Sequence, residues 1–475
     1  MLQRRIYFAP APIDFAAIRR SLSIPEQYPA EAVDDAVRSC AAGPWIAPER
    51  RDATDLPLVT LDPAGSMDLD QAVLIEVAPS GYRVRYAIAD VAAYVHPGGA
   101  LEEESFARGQ TLYSPDLATP LHPVQLSESA VSLLPAQRRA AVLWTIDLDS
   151  SGASTGVDVE RVWVRSIARL DYVSAQRDIE MGTLHPSIAL LPEVGKLRQD
   201  LARQRHAISL DLPDTNVLAT PGGQWTLELR AITPIEQYNA EISLLTGMCA
   251  AEIMIRGNVG ILRTLPVPDQ KQVEELRSSF VALGVAWPEG APAGSIVAAL
   301  DSSNPKHAAL LEQAVKLLRG AGYTVFDGAP PTAIAHAGVG APYAHVTAPL
   351  RRLVDRFGTE VVLALHSRAP VPSWVTDRLK SLPEVMGTSD RLANTLEKAC
   401  VGATGTFLLC DRIGEYFSAT VLHVDSEKNR ASVILSDPPV RAKCESAGLS
   451  VGAVIKVVLL AADVAANTYT VQALT

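Results

Sequence analysis

The sequence predicts an α+β protein: a mixed α/β body, a short helical lead-in before it and a small five-stranded β-barrel after it. Three observations carry this. Strand-like runs with β-branched, partly alternating residues fill the first half of the body: LPLVTLD, AVLIEV, YRVRYAIADVAAYV, AAVLWTIDLD and VDVERVWVRSIARL. From about residue 190 the apolar period becomes helical, in VGKLRQDLARQRHA, NAEISLLTGMCAAEIMIRG, VEELRSSFVALG and LLEQAVKLLRGAG. Short strands separated by turn residues return after residue 400. Strands first and helices later favour α+β over a repeated βαβ array.

Length and composition set the frame. A chain of 475 residues exceeds one ordinary core, so several domains are expected. Hydrophobic residues make up 48 % and charged residues 20 %, enough to bury a large globular interior. The sequence has no run of about 20 uncharged apolar residues, so no membrane span is expected. The start, MLQRRIYFAPAPIDF, lacks the apolar stretch and small-residue cleavage site of a secretory signal, and a cytoplasmic location is the expectation. Cys40, Cys249, Cys400, Cys410 and Cys444 form no C-x-x-C pair, which argues against structural zinc and a disulfide framework. A net charge of −11 weighs against a simple nucleic-acid coat protein but leaves room for a locally basic channel.

Residues 1–50 hold two short amphipathic candidates, IDFAAIRRSL and PAEAVDDAVRSCAA. They read either as a helix-turn-helix or as a packing lead-in. Residues 51–400 form the body, with Pro/Gly/Ala-rich loops at 287–296 and 328–342. Residues 401–475 carry FSATVLHVD, RASVILS, AVIKVVLLAAD and TYTVQAL, the size of a closed barrel of the OB type.

Two clusters carry chemistry. In TLDPAGSMDLDQAVLIEV three aspartates fall within nine positions of an otherwise apolar stretch. In extended chain Asp68 and Asp70 project to one side, and Asp62 joins them if the PAGS turn folds its strand back. Packed carboxylates repel unless a cation holds them, and an all-oxygen set suits Mg²⁺, with Mn²⁺ as a substitute. Acidic turn residues on a solvated hairpin are the other reading. In HAGVGAPYAHVTAPLRRLVDRFG the spacing predicts a helix from about Pro349, capped by Thr347. Arg351 and Arg352 then occupy its first turn, where they oppose the helix dipole unless an anion docks there. Ion pairing with Asp355 is the alternative.

These segments, together with YAIADVAAYVHPGGALEEESFARGQTLYSPDLATPLHPVQLSESAVSLLP and DRIGEYFSATV, occur in the order and spacing of the RNase II/RNase R family. The resemblance spans roughly residues 50–475. It implies an RNB catalytic domain over 51–400 and an S1-type RNA-binding barrel over 401–475. It also implies a processive 3′-to-5′ exoribonuclease that takes single-stranded RNA to nucleoside 5′-monophosphates by a Mg²⁺-dependent two-metal mechanism. Residue by residue, Asp62, Asp68 and Asp70 fall on the acidic motif, with Asp70 most critical for chemistry. Tyr113 falls on an aromatic that stacks near the RNA 3′ end and helps set the limit-product length. Arg351 falls on an arginine that clamps the scissile phosphate, with Arg352 beside it, and Glu241 on an acidic residue lining the nucleotide site.

Two departures stand out. The family's fourth aspartate is Gln71 here, whose amide oxygen can ligate Mg²⁺ without adding charge. The 50 leading residues leave no room for the cold-shock domains with which the usual members begin. The expected protein is a monomer that uses no organic cofactor. The competing readings are a non-catalytic RNA-binding protein, should Gln71 have undone the metal site, and a metal-dependent phosphatase of small substrates, which the barrel disfavours.

Overall fold

A computed structural model describes residues 13–47, 49–210, 213–425, 427–446, 448–464 and 466–474. Its body is built on a seven-stranded sheet in the spatial order Arg51–Asp52, Ser154–Arg165, Arg138–Asp149, Gly81–Ala89, Gln71–Ala78, Val59–Asp62 and Ala168–Asp171. The five inner strands pair antiparallel, and the two outermost strands join in parallel. Side-chain alternation explains why the buried part of the strand Gln71–Ala78, residues 72–75, is apolar throughout. Val73 and Ile75 face one core with Tyr86, Trp144, Ile242 and Phe357. Ala72 and Leu74 face another with Ala36, Leu101, Leu143 and Leu350. Both faces of the sheet are covered, so both sets of alternating positions must be apolar.

The first core is closed by the helices Pro234–Gly257 and Leu353–His366. The former opens with a reciprocal cap in which the Thr233 backbone N–H donates to Glu236, whose carboxylate also pairs with Arg230. The latter begins at Leu353 with Arg352 at its N-cap, not at Pro349 behind Thr347. Residues 348–352 instead form a turn, with the Arg352 N–H donating to the Ala348 carbonyl at 2.9 Å. The dipole argument for the arginine pair therefore does not apply. The helix Leu382–Leu409 runs through the expected boundary at 400, and the first barrel strand starts at Tyr416.

Five antiparallel strands form the C-terminal barrel, in the order Arg441–Cys444, Arg430–Leu435, Tyr416–Asp425, Val454–Asp463 and Thr468–Leu474. Its two edges approach where the Tyr469 hydroxyl donates to the Arg441 carbonyl. The N-terminal helices Phe15–Ser21 and Ala30–Ala42 dock at separate places. Phe15 packs edge-on to Trp225, 5.2 Å between ring centroids, and beside Leu396 and Cys400. Ala36 packs into the second core with Leu101 and Leu126. Each helix is thus a packing element of the body.

Candidate active site

The acidic stretch folds back on itself at Pro63–Ser66. The Ser66 N–H donates to the Pro63 carbonyl at 3.2 Å, and Gly65 takes φ +89°, a conformation that favours glycine. This turn lets Val59–Asp62 pair antiparallel with Gln71–Ala78, which puts Asp62 beside the segment carrying Asp68 and Asp70. That segment precedes the strand, which begins at Gln71. It is held from outside: the Leu69 N–H donates to Ser132 Oγ at 2.9 Å, Ser132 Oγ donates to the Met67 carbonyl, and the Leu133 N–H donates to the Leu69 carbonyl. Leu69 is buried in the second core, so Asp68 and Asp70 turn the other way.

The carboxylates are held away from water more than they are paired. Burial, reinforced by Asp68, pushes the Asp62 carboxyl up to about 7, and its buried Oδ2 has no hydrogen-bond partner. Burial also raises Asp68, and raises Asp70 well above the usual carboxylate range. Asp70 Oδ1 accepts the Leu350 N–H at 2.7 Å, while Arg351 Nε stands 3.8 Å from Oδ2. That separation leaves the Arg351 side chain 49 % exposed and free to meet an anion. Among the described residues, no three His, Cys, Asp or Glu side chains form a ready ion-binding group. The three raised carboxyls, with Asp62 Oδ2 unpartnered, still fit a hard divalent ion, provided that substrate phosphate oxygens and water complete its shell, the usual manner of Mg²⁺.

Tyr113 lies at the rim, 54 % exposed, with its hydroxyl near Asp68 and Arg351. Burial of the phenol, with Asp68 nearby, pushes it up to about 12. Its loop is fastened to the N-terminal segment, because Arg19 donates to Ser114 Oγ at 2.6 Å and pairs with Asp116 and Glu26.

Of two expected contact residues, Arg352 is engaged elsewhere and Glu241 points elsewhere, its buried Oε2 without a hydrogen-bond partner. Arg352 donates to both carboxylate oxygens of Asp355, at 2.9 and 2.8 Å, and Asp355 Oδ1 also accepts the Ala348 N–H. The pair braces the turn that carries Arg351, and both forked donors of Arg352 face Asp355. Glu241 has Arg198 and Arg205 as its charged neighbours. On the Pro234–Gly257 helix it stands about 180° from the face bearing Asn239 and Ser243. That other face is the one nearer the carboxylates: Asn239 donates to the Tyr172 hydroxyl at 3.0 Å, and Tyr172 feels the charges of Asp62 and Arg351.

Gln71 is engaged at both ends of its amide. Nε2 donates to the Thr347 carbonyl at 2.6 Å, and Oε1 accepts from the Tyr86 hydroxyl at 2.7 Å. Tyr172, Asn239, Ser132 and Tyr86 escaped the sequence reading. Tyr86, Ser132 and Asn239 lay inside quoted stretches that could have flagged them, and Tyr172 lay outside all of them.

Known proteins share the fold and the order of its two domains. A family model described as the RNB domain matches residues 50–364, and one described as the RNase II-type exonuclease C-terminal S1 domain matches residues 415–473. Ribonuclease R of Aquifex aeolicus is 27 % identical over 433 residues, covering 86 % of this chain and 59 % of that protein. The chain spans 35 to 61 % of the length of three curated Ribonuclease R relatives. Mycoplasma genitalium RNase R, solved in complex with ribose-methylated single-stranded RNA, superposes with a TM-score of 0.85 at 18 % identity, over 97 % of this chain and 78 % of that one. Yeast Ssd1, a pseudonuclease, superposes with a TM-score of 0.70 at 18 % identity, over 87 % and 53 %. At these identities the structural likenesses speak for the fold alone.

Proposed function

Because this chain belongs to the RNB-domain family, with an RNase II-type C-terminal S1 domain, we propose that it is a 3′-to-5′ exoribonuclease. It takes single-stranded RNA processively to nucleoside 5′-monophosphates with Mg²⁺. The carrying observation is a cluster of desolvated carboxylates, with Asp62 Oδ2 unpartnered and the half-exposed Arg351 3.8 Å from Asp70. A protein that only bound RNA would gain nothing from burying such carboxylates, whereas a site that handles a phosphodiester and a divalent ion uses both groups.

Asp62, Asp68 and Asp70 are the residues that would hold the ion. When bound, it supplies Lewis-acid activation of water and neutralises charge on the phosphoryl group. The chain's own residues do the rest. The Leu350 N–H fixes the Asp70 carboxylate through one oxygen and leaves the other facing the site. Arg351 meets the non-bridging oxygens of the last phosphodiester, where its forked donors stabilise charge as it develops. Tyr113 offers a half-exposed ring on which a terminal base can stack without sequence choice. Phosphate contacts of this kind make RNA affinity fall with salt.

One observation favours a second reading, an RNA-binding protein without turnover: Gln71 brings no charge and both ends of its amide are already bonded. A gel time course separates the two. A 5′-labelled RNA with a single-stranded 3′ tail is incubated with Mg²⁺ or with EDTA, using wild type beside Asp70→Asn. Collapse to one short product, only with metal and only in wild type, is the expected result. Tight binding without shortening, equal in both proteins, would establish the second reading. The expected cytoplasmic location and monomeric state belong to the same proposal.

A further inference from the structure

Gln71 sits at the start of a central strand, next to Asp70, and reaches across to the turn that carries Arg351. The Thr347 carbonyl can only accept, so the amide nitrogen must face it, which leaves Oε1 for the Tyr86 hydroxyl. Tyr86 is fully buried, and burial, with Tyr172, Asp62 and Asp70 nearby, keeps its phenol protonated and able to donate. The chain of contacts continues: Thr347 Oγ1 shares a 2.7 Å hydrogen bond with Ser243 Oγ on the Pro234–Gly257 helix. Three residues beyond Thr347, the Leu350 N–H grips Asp70, and Arg351 follows. A line of short hydrogen bonds therefore links Tyr86, Gln71, Thr347 and Ser243, and so two strands, the Arg351 turn and a helix, immediately behind the catalytic pair.

We infer that Gln71 is a positioning residue and not a metal ligand: its neutral amide fixes the Arg351 turn against the strand that follows Asp70. The role requires a group that donates and accepts at once. A carboxylate can accept from Tyr86 but cannot donate to Thr347, and it would set negative charge against a carbonyl oxygen at 2.6 Å. Glutamine is in this setting the better residue, and ion binding is left to Asp62, Asp68 and Asp70. The turn has other anchors, the Ala348 N–H on Asp355 and the Thr111 N–H on the Arg351 carbonyl. Losing Gln71 should therefore tilt the turn and not unfold it. The inference rests on the exoribonuclease reading for its kinetic consequence only.

The test uses the full chain with Gln71→Met, Gln71→Glu and Tyr86→Phe, and with Asp62→Asn as a ligand control. Mn²⁺ affinity is read by electron paramagnetic resonance without RNA, and amide exchange over 344–352 by mass spectrometry. The kinetic constants kcat and KM are measured on a single-stranded RNA. Gln71→Met should leave the Mn²⁺ Kd within about twofold, speed exchange over 344–352, and lower kcat about 10- to 100-fold with little change in KM. Gln71→Glu should lose kcat to a similar extent. Tyr86→Phe, which removes a single hydroxyl, should lose less and guards against misfolding of the others. The inference is overturned if Gln71→Met weakens Mn²⁺ about tenfold or more, as Asp62→Asn should. It is equally overturned if Gln71→Glu tightens Mn²⁺ and speeds turnover, or if Gln71→Met leaves exchange unchanged. Wild type that binds Mn²⁺ but shortens no RNA would sink the exoribonuclease reading instead, and the metal and exchange arms would still decide the role of Gln71.

Discussion

Leu350 donates its backbone N–H to Asp70 Oδ1 at 2.7 Å, joining positions 280 residues apart in the chain. The contact registers the aspartate motif against the arginine turn, since Arg351 is the next residue. It occupies one carboxylate oxygen of Asp70 and leaves Oδ2 toward Arg351 at 3.8 Å. The two halves of the candidate site are positioned by a main-chain group that no side-chain substitution removes directly.

Arg351 makes a loose pair with Asp70 and keeps half its side chain exposed, so its value should lie in the reaction and not in the fold. Arg351→Ala should lower single-turnover cleavage by roughly 100- to 1000-fold, the cost of removing one well-aimed charge stabiliser. Its thermal midpoint should stay near that of wild type. Arg351→Lys should recover little, because an ammonium lacks the planar fork. Near-wild-type rates for Arg351→Ala would remove this residue from the mechanism.

Asp62 makes metal-free stability depend on pH. Its folded value of about 7 lies above the ordinary 3.8, so the folded state holds a proton that the unfolded state has released. The resulting penalty is absent below about pH 4, grows between 4 and 7, and is complete above 7. In EDTA the protein should therefore gain stability on acidification from pH 8 to pH 5. Asp62→Asn should be the more stable protein at pH 8, by at most on the order of 4 kcal/mol. Denaturant titrations at the two pH values check this, and added Mg²⁺ should erase the difference.

Ser132 is fully buried and holds the loop of Asp68 from behind, accepting from Leu69 and donating to Met67. Ser132→Ala strands a buried N–H and should cost about 1–3 kcal/mol of stability. Activity should need more Mg²⁺ for half-saturation, because Asp68 rides on that loop. A Mg²⁺ titration of the cleavage rate reads the effect, and an unchanged midpoint would show that the loop holds its shape without the hydroxyl.

Arg352 should behave unlike its neighbour. Its partner Asp355 is fully buried, and Arg352→Ala leaves that charge unpaired, at a cost of roughly 3–5 kcal/mol. The folded fraction should bind RNA as wild type does. A filter-binding loss without loss of stability would restore Arg352 as an RNA contact.

Arg19 reaches from the first helix to Ser114 and Asp116, the loop that follows Tyr113. Arg19→Ala should leave cleavage itself running while blurring its end point, because the Tyr113 ring loses its anchored loop. The final gel lane should show several short products in place of one. A single sharp product would mean that Tyr113 is held adequately by its own strand and by Arg351.

Sequence by itself determined the elements and the chemistry they carry. Strands with two buried faces must be apolar on both, so the run Ala72 to Ile75 announced itself, and so did the three aspartates set just before it. The turn PAGS was legible because its third residue is a glycine, which positive φ favours. Strand-then-helix order gave the α+β class, and short strands between turn residues gave the barrel. Tertiary structure alone decided how neighbours in sequence divide their work. Arg351 and Arg352 are adjacent and chemically identical, yet one faces the carboxylates and the other is locked to Asp355, because the chain turns at Ala348 before the helix begins at Leu353. Glu241 and Asn239 are two residues apart, yet a helix sets them on opposite faces, and only packing against Arg198 and Tyr172 fixes which face meets the site. Gln71 read as a weakened ligand because spacing reports which residues are near one another. Its hydrogen bond to Thr347 joins positions 276 residues apart, and no local pattern encodes the direction of an amide.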